Sequence, residues 1–206
     1  MRARALLFGC AIASLAACTV ILGVQDLAGL DASVDAGPPS CGPEAGLYDV
    51  NLVANPTFDA GLTVWAGTGP GVQLAIVSPG DGNAHACRIC VPNNSYAGIE
   101  QDISGNYPAH TSFALFANVA DASDDATPAA SAMNVQLLFF DCDGGQIAGP
   151  IMVGHLIGGG WEIAGKTGFV VPAAMSSVRV QLTCVPKAPT CGCLLVDNIS
   201  LIATPP

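Results

Sequence analysis

Positive charge is the first thing this sequence is short of. It carries 6 Lys and Arg against 16 Asp and Glu, for a net charge of −10. So few cations argue against nucleic acid as a partner, because phosphates need Lys and Arg. They argue equally against electrostatic docking to anionic lipid. Aromatic residues are scarce as well, with 2 Trp, 3 Tyr and 7 Phe among 206 residues. Glu occurs only as Glu44, Glu100 and Glu162. A glycosidase needs two carboxylates facing one cleft, and no such pair stands out. There is no Gly-x-Ser-x-Gly elbow and no metalloprotease motif. His85, His110 and His155 lie in separate, turn-like settings. The expectation is a chain that is not an enzyme. Beyond the first 17 residues no apolar run is long enough to span a bilayer, and no segment keeps a helical period.

What is present begins with an export pattern. Arg2 and Arg4 precede the short apolar run Ala5 to Leu15, which ends in "LAAC" at Cys18. A small-residue site ending in Cys is similar to the lipobox of bacterial lipoproteins. That resemblance implies a signal peptide over 1–17, cleavage before Cys18 and acylation of Cys18. Each buried methylene of the acyl chains adds about 0.8 kcal/mol to anchoring. Thr19 rather than Asp follows the Cys, which points to an outer membrane lipoprotein of the cell envelope, facing the periplasm or the surface. The membrane is then met through the lipid anchor only. Residues 18–46, including "DASVDAGPPSCGPEAG", have no apolar period and read as a flexible tether. Residues 47–206 suit one domain with a single core.

Nine Cys is a high count. Cys10 leaves with the signal and Cys18 takes the lipid. In an exported protein the remainder read as disulfides, with Cys87, Cys90, Cys142, Cys184, Cys191 and Cys193 as the candidates and Cys41 of the tether as the odd one. "CRIC" and "CGC" also have the short spacings of zinc thiolates. Yet "CRIC" lies in a strand-like run, where residues three apart point to opposite faces, so Cys87 and Cys90 are expected to have different partners. A bridge from Cys184 to Cys191 or Cys193 across the turn "VPKAPT" is sterically reasonable.

Several segments alternate with period two. "SFALFANVA" sets Phe113, Leu115, Ala117 and Val119 on one face. "NVQLLFF" does the same with Val135, Leu137 and Phe139. "SSVRVQLTC" sets Val178, Val180, Leu182 and Cys184 one way and Ser177, Arg179, Gln181 and Thr183 the other. Clusters such as "SPGDGN", "SGNYPAH" and "DCDGG" punctuate these runs as turns. Asp141 and Asp143 of the last cluster lack the further ligands of a calcium loop, so a hairpin turn is preferred. The reading is all-β: an antiparallel β-sandwich.

Three segments sharpen it. "NLVANPTFDAGLTVW" (Asn51 to Trp65), "YAGIEQDISG" (Tyr96 to Gly105) and "LLVDNISL" (Leu194 to Leu201) occur in that order. Together they resemble carbohydrate-binding modules of families four, nine and twenty-two. The resemblance implies a galactose-binding-like jelly roll whose first and last strands are neighbours. Phe58, Leu62 and Trp65 would then be buried. Asp197 falls in register with Leu195, Ile199 and Leu201, and a carboxylate in an apolar row needs a partner. If the chain ends adjoin, Asp59 and Asp197 approach one another, and a calcium ion between them would relieve their repulsion. The resemblance implies the same structural calcium, although Asp59 stands where the family has Glu. The alternative is that Asp197 accepts backbone amides and Asp59 is exposed. A sugar site needs exposed rings to stack on and polar groups to pair with hydroxyls. The candidates are Trp161, Tyr96, Tyr107 and Gln101, with Trp161 after "GGG" as the foremost. The expected function is a membrane-anchored, non-catalytic module that binds carbohydrate; a structural or adhesive domain that has lost the sugar site is the alternative.

Overall fold

The computed structural model describes residues 45–91, 96–122, 132–147, 151–158, 160–185 and 192–206. The signal peptide, Cys18, Cys41, Cys191 and nearly all of the tether lie outside these residues. Among the described residues ten strands form: β1 (Ala66–Thr68), β2 (Gln73–Val77), β3 (Ala86–Val91), β4 (Ala97–Tyr107), β5 (Ser112–Asp121), β6 (Ala132–Phe140), β7 (Ile151–Leu156), β8 (Glu162–Val170), β9 (Met175–Val185) and β10 (Gly192–Thr204). Among the described residues no helix is long and apolar enough to cross a membrane.

The strands pair into two antiparallel five-stranded sheets, ordered β1-β4-β9-β6-β7 and β2-β3-β10-β5-β8. This is the expected β-sandwich. Its interior is supplied by the alternating rows read from the sequence. Phe113, Leu115, Ala117 and Val119 of β5 are buried, as are Val135, Leu137 and Phe139 of β6 and Val178, Val180, Leu182 and Cys184 of β9. Each row is apolar on alternate residues because only one face of each sheet meets the other sheet.

β1 and β10 lie in different sheets, so it is the segment before β1, and not the first strand, that adjoins the last strand. Leu52 N–H donates to the Leu201 carbonyl at 2.8 Å, and Ile199 N–H donates to that of Pro56 at 3.1 Å. Phe58 is fully buried against Trp65, their ring centres 5.6 Å apart. The Trp65 indole N–H donates to the Asn55 carbonyl at 3.2 Å. Pairing starts even earlier, at Ala45, which bridges to Asn106. Ala45 and Gly46, read as tether, thus already lie on the sandwich.

Two further expectations need correction. The first concerns β10. Its register against β5 shifts between Asp197 and Ser200, and Asn198 has a positive φ of 48°. This bulge changes the parity of the strand. Leu194 and Val196 are buried before it and Ile199, Leu201 and Ala203 after it. Asp197 therefore does not share a face with Ile199 and Leu201; its side chain lies beneath the loop joining β2 to β3. The second concerns the cysteines. Cys90 bonds Cys193 across β3 and β10, so the bridge from Cys193 to Cys184 is not made. Cys142 and Cys184 are both disulfide-bonded. Cys87 is not: it is a buried free thiol. Cys87 and Cys90 do face opposite ways, and it is the inward-facing Cys87 that joins the core, where burial pushes its thiol up to about 12.

Candidate functional site

The outer face of the sheet β1-β4-β9-β6-β7 carries a row of polar side chains. Antiparallel register sets Glu100 of β4 opposite Gln181 of β9, and Gln181 opposite Gln136 of β6. Gln181 Nε2 donates to Glu100 Oε2 at 2.8 Å and to Thr68 Oγ1 at 3.3 Å. Gln136 Nε2 donates to Gln181 Oε1. These contacts fix which way the Gln181 amide points: its N–H groups toward β4 and its carbonyl toward β6.

The next row is nearly bare. Thr68 pairs with Gly98, Gly98 with Thr183, Thr183 with Asn134, and Asn134 with Gly154. Gly98 and Gly154 project nothing, so the sheet is hollowed here. At Gly98 the β9 backbone is also very close, and a Cβ would meet the Leu182 carbonyl. The result is a trough of about 410 Å³ lined by Thr68, Tyr96, Asn134, Gln136, Gln181 and Thr183, with Val185 at one end. Among the described residues Tyr96, 64% exposed, is its one aromatic lining residue.

On the other side of the Glu100 row stands Arg179. Its guanidinium donates to both carboxylate oxygens of Asp102, at 2.7 and 2.9 Å, and lies 3.6 Å from Glu100. It also sits over the Phe140 ring, 5.5 Å from its centre. The Asp102 carboxylate, before all else, raises the Arg179 pKa above its ordinary value. The face thus holds amide and hydroxyl groups at close spacing, although Gln136 and Thr183 are each only 7% exposed and the Gln181 amide is engaged by Glu100, Thr68 and Gln136, and its carboxylates are matched to one guanidinium. Such a surface can exchange hydrogen bonds with a polyhydroxylated molecule and stack one ring on Tyr96.

Of the four ligand residues expected from sequence, only Tyr96 lies at this trough. Tyr107 is buried to 2% exposure between Tyr48 and Phe113, with ring centres 5.7 and 5.2 Å away. It is a core residue and cannot stack on a ligand. Gln101 is buried too. Its side chain accepts from the Ala54 N–H at 2.8 Å and donates to the Ala54 carbonyl at 3.0 Å. It spends its hydrogen bonds on the opening segment instead of a sugar. Trp161 is half-buried just before β8, which belongs to the other sheet. Sequence reasoning missed Gln136, Gln181, Thr183, Asn134 and Thr68. The signal was available: the polar positions of "SSVRVQLTC" are the outward row of β9, but their neighbours across the sheet depend on register.

The expected calcium ligands are not gathered into one cage. Asp59 is exposed; its carboxylate accepts from His85 Nδ1 at 3.0 Å and Thr57 Oγ1 at 2.8 Å, which holds its pKa below the ordinary value. Asp197 is fully buried. Its Oδ2 accepts from the Asp81 N–H and its Oδ1 from the Asn198 N–H, each at 2.7 Å. Burial raises the Asp197 pKa and the nearby negative charge of Asp81 adds to the rise, while these N–H groups and the Asn83 side chain oppose it. Calcium wants 6–8 converging oxygens. Among the described residues no group of three or more His, Cys, Asp or Glu is set to hold a metal ion. The donor set found here does not fit the calcium expectation.

No family model matches the chain, and no curated protein does so either. Solved structures match the fold. The enzymatically active domain of tailspike protein 4 from bacteriophage CBA120 superposes with a TM-score of 0.59 at 15% identity, over 75% of this chain but 22% of that one. The carbohydrate-binding module TmCBM61, solved in complex with β-1,4-galactotriose, gives 0.52 at 13% identity, over 75% of this chain and 99% of that one. A Stig cyclase from Fischerella sp. TAU gives 0.54 at 14% identity, over 77% and 99%. Modules of families 16 and 22 share the fold as well. The chain therefore shares the fold of these carbohydrate-binding modules, a fold that the tailspike domain and the cyclase share as well.

Proposed function

We propose that this protein is a non-catalytic carbohydrate-binding module, held at the cell envelope by acylation of Cys18, and that the trough on the outer face of β4, β9 and β6 takes the sugar. The observation that carries the reading is the Gln136–Gln181–Glu100 row beside the bare floor of Gly98 and Gly154. Hydroxyl groups along a glycan both donate and accept, and side-chain amides answer both needs. Tyr96 supplies the stacking surface at the rim. TmCBM61, solved with a galactotriose, shares the fold over three quarters of this chain, which supports a neutral oligosaccharide as the kind of ligand. A non-catalytic role is supported by the carboxylates themselves. Glu100 and Asp102 share Arg179, so neither stands alone across a cleft as a glycosidase pair would.

Among the described residues Tyr96 is the one exposed Trp, Tyr or Phe ring, which favours a second reading, in which the sandwich serves structure or adhesion and the sugar site is lost. A glycan array separates the two. Carbohydrate binding predicts retention on at least one glycan class and its loss in Tyr96→Ala. The structural reading predicts no retention on any glycan. Metabolic labelling with a palmitate analogue, lost in Cys18→Ser, tests the anchor.

A further inference from the structure

The loop between β2 and β3, residues 78–85, closes over Asp197 through a set of hydrogen bonds in which every donor is an N–H. Asp197 Oδ2 accepts from the Asp81 main chain and Oδ1 from the Asn198 main chain. The Asn83 side chain adds a third hydrogen bond. Asn198 Nδ2 donates to the Asp81 carbonyl at 2.8 Å, and its Oδ1 accepts from Asn83 Nδ2 at 3.2 Å. Asn118, opposite Asp197 in register, donates to the Asp81 carboxylate. Gly80 packs against the same group so closely that a Cβ there would meet Asp197 Oδ2 at 2.6 Å and the His85 carbonyl at 2.1 Å. No room is left between loop and carboxylate on that side.

We infer that this chain replaces a structural cation with amide donors: the 78–85 loop and Asn198 hold the buried Asp197 carboxylate, and the fold does not need calcium. Main-chain N–H groups carry partial positive charge and satisfy a carboxylate directly. The same groups would point positive charge at a cation placed beside Asp197. Asp59, the second carboxylate expected of a calcium site, has turned to His85 and Thr57 instead, and the Asp81 carboxylate, close enough to act on Asp197, accepts from Asn118. The bulge at Asn198 is part of the device, since its positive φ accompanies the short turn that brings its own N–H back onto Asp197.

The test is a thermal melt of the full-length chain in calcium chloride and in excess EDTA, alongside calorimetric titration of the EDTA-treated, desalted protein with calcium chloride. The inference predicts equal midpoints and no saturable heat. It also predicts that Asp59→Ala melts within a degree or so of the parent in both conditions, while Asp197→Asn melts lower in both. A midpoint that falls by several degrees in EDTA and returns with calcium would overturn it. So would a one-to-one binding isotherm that Asp59→Ala abolishes. Should Asp197→Asn fail to fold, the comparison of the parent chain in the two buffers still decides.

Discussion

Asn51 ties the beginning of the domain to its end. Its side-chain amide donates to the Ile199 carbonyl at 3.0 Å, and its carbonyl oxygen accepts from the Leu201 N–H at 3.0 Å and the Val53 N–H at 3.1 Å. Three main-chain groups on two segments depend on this one residue, two of them 148 and 150 residues further along the chain. Asn51→Ala leaves them to water or without a partner, and each such loss costs about 0.5–1.5 kcal/mol. Denaturant unfolding should show a loss of about 2–3 kcal/mol at unchanged m-value, the sum of two or three such bonds. Asn51→Asp should lose less, because its carboxylate keeps the two N–H contacts.

Cys90 and Cys193 face one another in the β3–β10 register and close a loop with a sequence separation of 103. A closure of that length restricts the unfolded chain strongly, by about 3–5 kcal/mol in the chain-entropy picture. The double replacement Cys90→Ala with Cys193→Ala should melt well below the parent and keep the same far-ultraviolet spectrum.

Cys87 should be silent in the native state. Its thiol is buried in the core and its pKa is pushed up to about 12, so almost no thiolate exists at neutral pH. A maleimide reagent should modify it only in denaturant. Counting thiols in guanidinium for the parent and for Cys87→Ala should differ by one equivalent, and a difference already visible without denaturant would contradict the burial.

Glu162 links β8 to β7. It accepts from His155 Nε2 at 2.8 Å and from the Gly158 N–H at 3.0 Å, and the His155 contact leads in lowering its pKa below the ordinary 4.5. A carboxylate with a lowered folded value contributes stability above its unfolded value and loses it as pH falls through the folded one. The parent should therefore outlast Glu162→Gln at pH 7. The gap should close as pH drops below 4.5, which a series of melts from pH 7 to pH 3 will show.

The interior of the sandwich was legible because one physical pattern writes it. Val178, Val180 and Leu182 alternate with Arg179 and Gln181 since each sheet has one dry face. That the segment around Asn51 adjoins the one around Ile199 was legible from their motifs, although the first of them forms one isolated bridge in place of a strand. Asp197 was read on the wrong row because a bulge adds one residue that no alternation rule announces. The trough on the outer face was the least legible part. Gln136, Gln181 and Glu100 are 81 residues apart at their widest and meet only through register, which pairwise packing sets and local sequence does not. Tyr107 misled for the opposite reason: a ring in a turn-rich stretch looks exposed, yet it fills the space between Tyr48 and Phe113.

The trough itself is tested most directly by affinity gel electrophoresis of four proteins on a glycan the parent retains. The account predicts that Gln181→Ala and Tyr96→Ala migrate freely, with apparent affinity reduced at least about tenfold, the equivalent of about 1.4 kcal/mol. Trp161→Ala, before a strand of the other sheet, should be retarded like the parent. Retardation lost in Trp161→Ala and kept in Gln181→Ala would contradict the account and move the sugar to the other sheet.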